Sequence, residues 1–499
     1  MGTLVRTIGS IGLAAYGVNL LDIAPPASGL GVISRVLGIV GDFPWGPVNT
    51  VTTCYSFKDL QAFFPAAFSA LYDNYPALKA FLGKPTFPGP IKVCRIAATG
   101  AAAAVLTYNV AGGTIVGTAA YSGTAGNSIA LTWAAATDAD ASHRNLTITI
   151  GSNYSALYEN VTLTTITALG DAYMSFAKGS TPSALPAIAA NPTTTAAGLD
   201  GTAAAADYTG SSTSNVGIYK FYASNQNVDV LMVAECPAAL INSVNTALVS
   251  YNTTAGKMGQ AVLCSVAAQS ASAAVAYVAS YRDTVSKTSM IWPRPKVTNT
   301  FDKTGSNPLV TVDGNAFLAL AMLGVNPWES PEGVNSVPWL TGVQDLETND
   351  ASDTAYAALN AAGISTFFID DTLGPIIRGA YVTNTTSGQT DIIRSSYRAY
   401  VQANVAALAI HYVGVPLSVD LQGQNLGDTV SPLVTAIKGF LTDEQTKQHF
   451  AGYAVDPYGP NTQADIDAGH WTIAIAIDTY APLRQIVIQT QIGSTVVIS

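Results

Sequence analysis

Charge is what this sequence has least of. Only 11% of its 499 residues are Asp, Glu, Lys or Arg, less than half of the roughly 25% usual for a soluble domain. Ala, Thr, Ser and Gly take their place. A surface of such residues repels copies of itself weakly, and burying it against a neighbour desolvates few ions, so the composition favours assembly. The net charge of −10 comes without any Lys/Arg cluster, which argues against direct nucleic-acid binding through counterion release. Cysteine is scarce too: Cys54, Cys94, Cys236 and Cys264 lie far apart with no CxxC spacing. Each sits in or beside an apolar run, as small buried hydrophobes do, and nothing implies an oxidising compartment. No stretch of about 20 uninterrupted apolar residues is present, so no membrane-spanning helix is expected. The apolar stretch after Arg6 is broken by Gly9, Gly12, Gly17 and Asn19 and runs into Pro25 and Pro26, unlike an export signal.

Chemistry-bearing patterns are equally missing. The four histidines, His143, His411, His449 and His470, include no i,i+4 pair and no H-E-x-x-H. His411 lies beside the apolar stripe of a helix and reads as packing. Asp467 and His470 are close in sequence, yet no G-x-S-x-G elbow exists to supply a nucleophile, and this segment reads as a turn before a strand. There is no Walker loop, and Gly29-Leu-Gly31 opens a strand where a dinucleotide loop should open a helix. Asp370 and Asp371 are adjacent on a strand and so point to opposite faces; a turn at the strand end is the better reading. No catalytic set, metal site or cofactor is expected. The rival readings are a secreted α/β hydrolase, which would need one of these sites, and a surface-layer protein, which would carry an export signal and repeated β modules.

What the chain does have is a changing pattern. Residues 1–30 read as an extended N-terminal arm, 31–98 as the first part of a core domain, and 99–211 as an inserted β-rich domain. An α/β middle domain follows over 212–370, then a C-terminal α+β domain over 371–483 and a C-terminal arm over 484–499. Buried-strand runs are expected at 31–41 and Ile91–Ala97, separated by the turn-rich Asp42–Pro47, a short helix capped by Ser56 and a helical stretch at 66–82. The insert shows alternation in Ala130–Trp133 and Leu146–Ile150, and its Ala/Thr-rich end, 187–210, reads as a mobile linker. Strands at Val228–Ala234, Gln260–Val266, Lys287–Pro293 and Ile364–Asp370 alternate with helices at 237–250, 271–285, 317–325 and 353–362, which implies βαβ units and a parallel sheet. Near the end, Arg394–Val413 carries Tyr397, Val401, Val405, Leu408 and Tyr412 along one stripe. Ser431 reads as an N-cap before Pro432, Thr442–Gln445 as a capping box opening another helix, and Thr472–Asp478 as a period-2 strand.

The final segment, Arg484 to Ser499, is strongly β-forming and almost uncharged, where chain ends are normally polar and frayed. A strand there needs a partner. At about 3.3 Å per residue, sixteen residues reach roughly 50 Å, enough to join a sheet edge on another subunit; the alternative is a strand folded back on its own domain. On this reading Ile486, Val487, Ile488, Ile492, Val496, Val497 and Ile498 would contact neighbouring copies, as would Leu4, Val5 and Ile8 of the first arm. Lys438 and Lys447 stand on otherwise acidic ground and are the candidates for contact with a further partner.

An ordered set of motifs resembles the contractile phage tail sheath proteins. Gly38-Ile-Val-Gly-Asp-Phe-Pro-Trp-Gly-Pro-Val-Asn49 looks like their strand followed by a "GPVN" turn, with Ser56–Phe64 and Val93-Cys-Arg-Ile96 as the helix and Arg-ended strand that follow. Gly123-Thr-Ala-Gly-Asn-Ser-Ile-Ala130 is similar to the turn of their inserted β domain. Trp292-Pro293, Asp313-Gly-Asn315, Asn326–Ser330 and Leu359–Ile364 resemble their middle domain. Ile377–Thr383, Arg394–Tyr400, Tyr453–Asp456 and Gly469–Asp478 look like their C-terminal domain. Pro26–Gly31 and Ala481-Pro482 depart from the family's opening and closing signatures. The resemblance implies a structural, non-enzymatic subunit of hexameric rings stacked helically around a tail tube, in a virion tail assembled in the bacterial cytoplasm. It further implies arms donated to neighbouring copies, and partners in the tube, baseplate and tail terminator proteins. Lys438 and Lys447 would then face the tube. The family's middle domain has a protease-like topology, but fold is not activity.

Overall fold

The computed structural model describes residues 35–60, 63, 65, 89–192, 194–222, 228–234, 236–253, 259–298, 308–348, 352–385, 390–413 and 430–482. Among these, one compact unit holds 35–399 with 481–482, and a second holds 400–413 with 430–480. Both expected arms, and the helix expected at 66–82, lie outside the described residues.

The larger unit begins with β1 (Leu37–Gly41), every residue of which is buried. Leu37 and Ile39 belong to one hydrophobic core and Val40 to another; a strand covered on both faces reads as a continuous apolar run. Next come β2 (Val51–Cys54) and the single turn α1 (Phe57–Leu60), where Ser56 Oγ accepts from the Asp59 N–H at 3.2 Å. Then β3 (Ile91–Arg95) pairs parallel with β1 and antiparallel with β2. Four residues with two threonines are too few for a period-2 signal, so β2 is visible only through its partner.

The composition change at residue 99 marks a β module. Its strands are β4 (Val105–Val110), β5 (Gly113–Ala119), β6 (Ile129–Ala135), β7 (Arg144–Ile150), β8 (Tyr154–Val161), β9 (Met174–Ser180) and β10 (Thr194–Ala196). They form two antiparallel sheets, β10-β4-β5-β9 and β6-β7-β8. Leu146, Ile148 and Ile150 of β7 point into the module's core while the threonines between them turn outward. The stretch 187–210 is not a mobile linker. β10 pairs with β4, Ala102 and Leu199 exchange two backbone hydrogen bonds of 2.9 Å, and α2 (Ala205–Thr209) buries Tyr208. Ala and Thr supply backbone pairing with little periodic contrast, which conceals such a return path.

After the insert, β11 (Val230–Val233), α3 (Ile241–Thr253), β12 (Gln260–Val262), α4 (Ala271–Val278) and β13 (Thr288–Ser289) complete a six-stranded sheet of order β13-β12-β11-β1-β3-β2. Its first five strands are parallel. The sheet thus draws on both sides of the insert. Lys287–Pro293, expected as one strand, is divided: after Met290 the chain enters β14 (Ile291–Trp292), which pairs with a different sheet. There follow β15 (Pro295–Thr298), β16 (Leu309–Thr311), α5 (Asn315–Gly324), β17 (Val343–Leu346), α6 (Asp353–Ala361), β18 (Ser365–Asp370) and β19 (Gly374–Arg378), giving sheets β14-β18-β19 and β16-β15-β17. α5 is buried from Asn315 through Leu323, as a helix apolar all round must be. Its start is tied to the strand ends. Asp313 accepts from Ser265 Oγ at 2.7 Å, and Asn315 Nδ2 donates to the Val233 carbonyl at 2.7 Å. At the tip of β18, Asp370 Oδ1 accepts from the Thr372 and Leu373 N–H groups, the turn expected there. Cys54, Cys94 and Cys264 are buried and Cys236 is half-buried.

In the second unit, α7 (Ile392–Ala409) enters from the first and buries Val401 and Leu408 there, while Val405 and Tyr412 are half-buried. α8 (Ser431–Thr446) differs from expectation at both ends. Val430 takes the cap position without a side-chain bond, so Ser431 lies inside the helix. Thr442 opens no new helix: the same helix runs through it, because Leu441 and Glu444 extend the stripe Leu433, Val434, Ile437 that packs inward. β20 (Gly452–Asp456), the single turn α9 (Gln463–Asp467) with its Thr462–Asp465 capping box, and β21 (Ala474–Asp478) complete it.

Asp42, just beyond β1, is pushed up to about 6 by burial; Arg95 opposes the shift, and Asp200 and Asp207 reinforce it. A carboxyl raised above its unfolded value stabilises the fold fully below that value, and the contribution is lost as pH rises through about 6. Asp42→Asn should therefore gain stability relative to the unaltered chain between pH 5 and pH 7.5, by about 1 kcal/mol once solvent screening is allowed for. Thermal denaturation of both chains at the two pH values checks this.

Candidate assembly surface

The second unit ends in a sheet of only two strands. β20 and β21 pair antiparallel, from Gly452 opposite Asp478 to Asp456 opposite Ala474, and no other described strand joins either edge. An isolated two-stranded hairpin is marginal in water, and among the described residues each outer edge is left without a partner strand. Alternation along β21 is strict: Ile473, Ile475 and Ile477 are half-buried while Thr472, Ala474, Ala476 and Asp478 are exposed. The inner face is therefore covered only in part. Tyr453 and Val455 of β20 share it at the same half-buried level, and Tyr480 just beyond β21 is 48% exposed. From β21 the chain continues through 479–482 toward the expected C-terminal arm.

α8 braces this hairpin. The Tyr453 hydroxyl lies 2.8 Å from Thr442 Oγ1, and the Phe450 and Tyr453 rings meet edge-on at 6.1 Å. Glu444 is 3% exposed and sits 2.8 Å from His449 Nδ1. It also bonds the Tyr400 hydroxyl, which is pushed up to about 12 by burial first and by the Glu444 charge second. Neither Glu444 nor His449 was expected to matter. The available signal was position: Glu444 falls on the apolar stripe, three residues after Leu441, where an acid must have partners to be buried.

The two lysines differ in their surroundings. Lys447 Nζ lies 2.6 Å from Asp443 and 3.5 Å from Glu444, and the Asp443 carboxylate first of all holds its ammonium above the usual lysine range. Its charge is met within the subunit. Lys438 is exposed on α8 and makes no ion pair among the described residues. The expected arm residues, Leu4, Val5, Ile8, Ile486, Val487, Ile488, Ile492, Val496, Val497 and Ile498, lie outside the described residues. His411 and His470 are exposed, and His143 pairs with Asp138; no group of three or more His, Cys, Asp or Glu suited to a metal occurs among the described residues. No described helix is long and apolar enough to cross a membrane.

Removing Glu444 should strand its partners in a buried site, whereas removing Lys447 should cost little. Glu444→Ala is expected to lose about 2–3 kcal/mol and Lys447→Ala less than about 1 kcal/mol, read by urea denaturation with a probe in this unit.

No protein-family profile matches the chain, and no curated protein matches it either. Solved structures do. The sheath tail protein of Desulfitobacterium hafniense aligns over 90% of this chain and 97% of its own, with a TM-score of 0.60 at 13% identity. The sheath tail protein of Listeria innocua aligns over 89% and 95%, with a TM-score of 0.55 at 14% identity. The helical sheath of the anti-feeding prophage in its contracted state aligns over 96% and 98%, with a TM-score of 0.51 at 14% identity. From the parallel sheet to the closing hairpin, this chain has the fold seen in contractile tail sheath proteins.

Proposed function

We propose that this chain is the structural subunit of a contractile tail sheath. The observation that carries the reading is a fold likeness spanning 90% of this chain and 97% of a sheath tail protein; the open two-stranded sheet and the charge-poor composition support it. Copies form hexameric rings that stack helically around a tail tube, in a virion tail assembled in the bacterial cytoplasm, with baseplate and tail terminator proteins at the ends. The two chain ends, 1–30 and 484–499, are arms given to neighbouring copies through the apolar residues named above. The outer edges of β20 and β21, which no other described strand joins, are the natural acceptors, because an added strand satisfies their backbone groups. The extended assembly stores energy as a kinetic trap and releases it on contraction, driving the tube through a cell envelope with no enzymatic step or cofactor. Of the two candidate tube contacts, Lys438 has the charge to spare.

Negative-stain microscopy of the purified full-length chain should show tubes of the contracted kind. Deleting 485–499 should leave monomers or single rings; tubes formed equally well by the deleted chain would remove the arm from the account. Lys438→Glu should weaken assembly templated by the tube, while Lys447→Glu does so less.

A further inference from the structure

Three sequence motifs converge where the insert leaves the parallel sheet: the Asp42–Asn49 turn, Arg95 at the end of β3, and the Gly123–Ser128 turn. Trp45 is 2% exposed, yet it does not belong to the core of its own sheet. It is part of the insert's hydrophobic cluster, whose other buried members all lie between Ala104 and Leu185. Its indole meets Tyr121 edge-on at 5.3 Å and Tyr173 at 5.9 Å, and Tyr173 meets Tyr154 at 4.6 Å. Such tilted aromatic contacts add to the burial itself.

Arg95, 3% exposed, spans the same joint. Nη1 donates to the Gly46 carbonyl at 2.9 Å and Nη2 to the Ser122 carbonyl at 2.7 Å, so one planar cation holds a turn of the sheet and a turn of the insert together. Both turns require glycine, Gly46 against its own sheet's core and Gly123 against the joint. Gly46 has φ +101, and a Cβ there would stand 2.6 Å from the Phe63 ring; Gly123 has φ +124, with Arg95 Nη2 only 3.3 Å from where a Cβ would be. The two connecting segments are also joined to each other. Thr202 N donates to the Thr99 carbonyl at 3.0 Å, and the Asp200 carboxylate accepts from Thr124 N and Oγ1, each at 2.7 Å.

We infer that the parallel sheet donates Trp45 to complete the insert's hydrophobic core, and that Trp45 and Arg95 lock the insert to the sheet so that the two move as one body. Two short connecting strands alone leave a hinge between modules. A ring seated in the far module's core, with a guanidinium fixing the turn behind it, removes that freedom. The insert is then a rigid lever on the sheet, and its folding depends on a residue outside it. This holds whether or not the chain forms sheaths.

Hydrogen exchange of the full-length protein tests the inference. Trp45→Ala should lower protection in β4–β9 by about tenfold or more while β11 and β12 keep theirs. Two milder variants guard against wholesale unfolding. Trp45→Phe should weaken the insert less than Ala does. Arg95→Lys cannot reach both carbonyls at once and should raise exchange and proteolytic cutting at 96–104 and 198–203. The inference fails if the insert keeps its protection in all three variants, or loses it only together with the sheet.

Discussion

The larger unit depends on β1 being covered everywhere. Five residues long, it has a parallel partner on each side, with Leu37 opposite both Ile91 and Val230, and a core against each face. That constraint selects its composition. No position can carry a polar side chain, and a Cβ at Gly38 would meet Leu231 at 2.9 Å. It also explains how the chain tolerates a whole β module between β3 and β11. Both of those strands are held by the same central strand, so their relative position does not depend on the length of chain between them. Loop closure grows only slowly with length, and the zipped exit and return segments reduce it further. The insert can leave and come back without loosening the sheet.

Legibility followed burial and length. β1, β11 and α5 are readable because two-sided or all-round burial leaves uninterrupted apolar runs, which few other arrangements produce. β7 was readable from strict alternation. Failures came where pairing, not side-chain chemistry, decides the outcome. β2 is four residues of mixed character, and β10 lies in a tract of Ala and Thr; both become strands only because a neighbour offers its edge. Lys287–Pro293 reads as one strand because Thr288 through Pro293 are buried without a break, yet it serves two sheets. Thr442 had the composition of a helix start, but Leu441 and Glu444 kept the inward stripe in phase, and packing overrode the local signal. For the assembly surface, the hairpin strands were foreseen while Glu444 and His449 were not. A buried acid on an apolar stripe is recognisable only once its partners are known, and these come from α7 and from the turn after α8.

The low charge content takes on meaning in the second unit. Lys447 is held by Asp443 and Glu444, and an exposed pair of this kind contributes little to stability. What it does is remove a cation from the outer surface of α8. The β20–β21 sheet has an outward face of Ala454, Ala474 and Ala476 bounded by Asp456 and Asp478. A small, nearly uncharged face costs little to cover, while the acids at its margins discourage indiscriminate stacking. Edge strands are usually protected by charge, proline or distortion. Here the protection is slight and confined to the strand ends, as the proposed pairing with a neighbour's arm would require.

Rigidity and openness are therefore placed in different parts of the chain. The insert is tied by Trp45, Arg95 and Asp200, and its aromatic core is closed with a residue it does not itself supply. The hairpin, in contrast, keeps Ile475 and Ile477 half-covered and its edges without strands among the described residues. A subunit whose modules were all loosely joined would absorb an imposed rearrangement in its own hinges. One that holds its interior fixed passes the rearrangement to its contacts with other copies, because packed cores resist continuous deformation. On the proposed reading of the chain as a sheath subunit, the sheet and insert are the stiff part, and the hairpin edges, which no other described strand joins, are where contacts with neighbouring copies change.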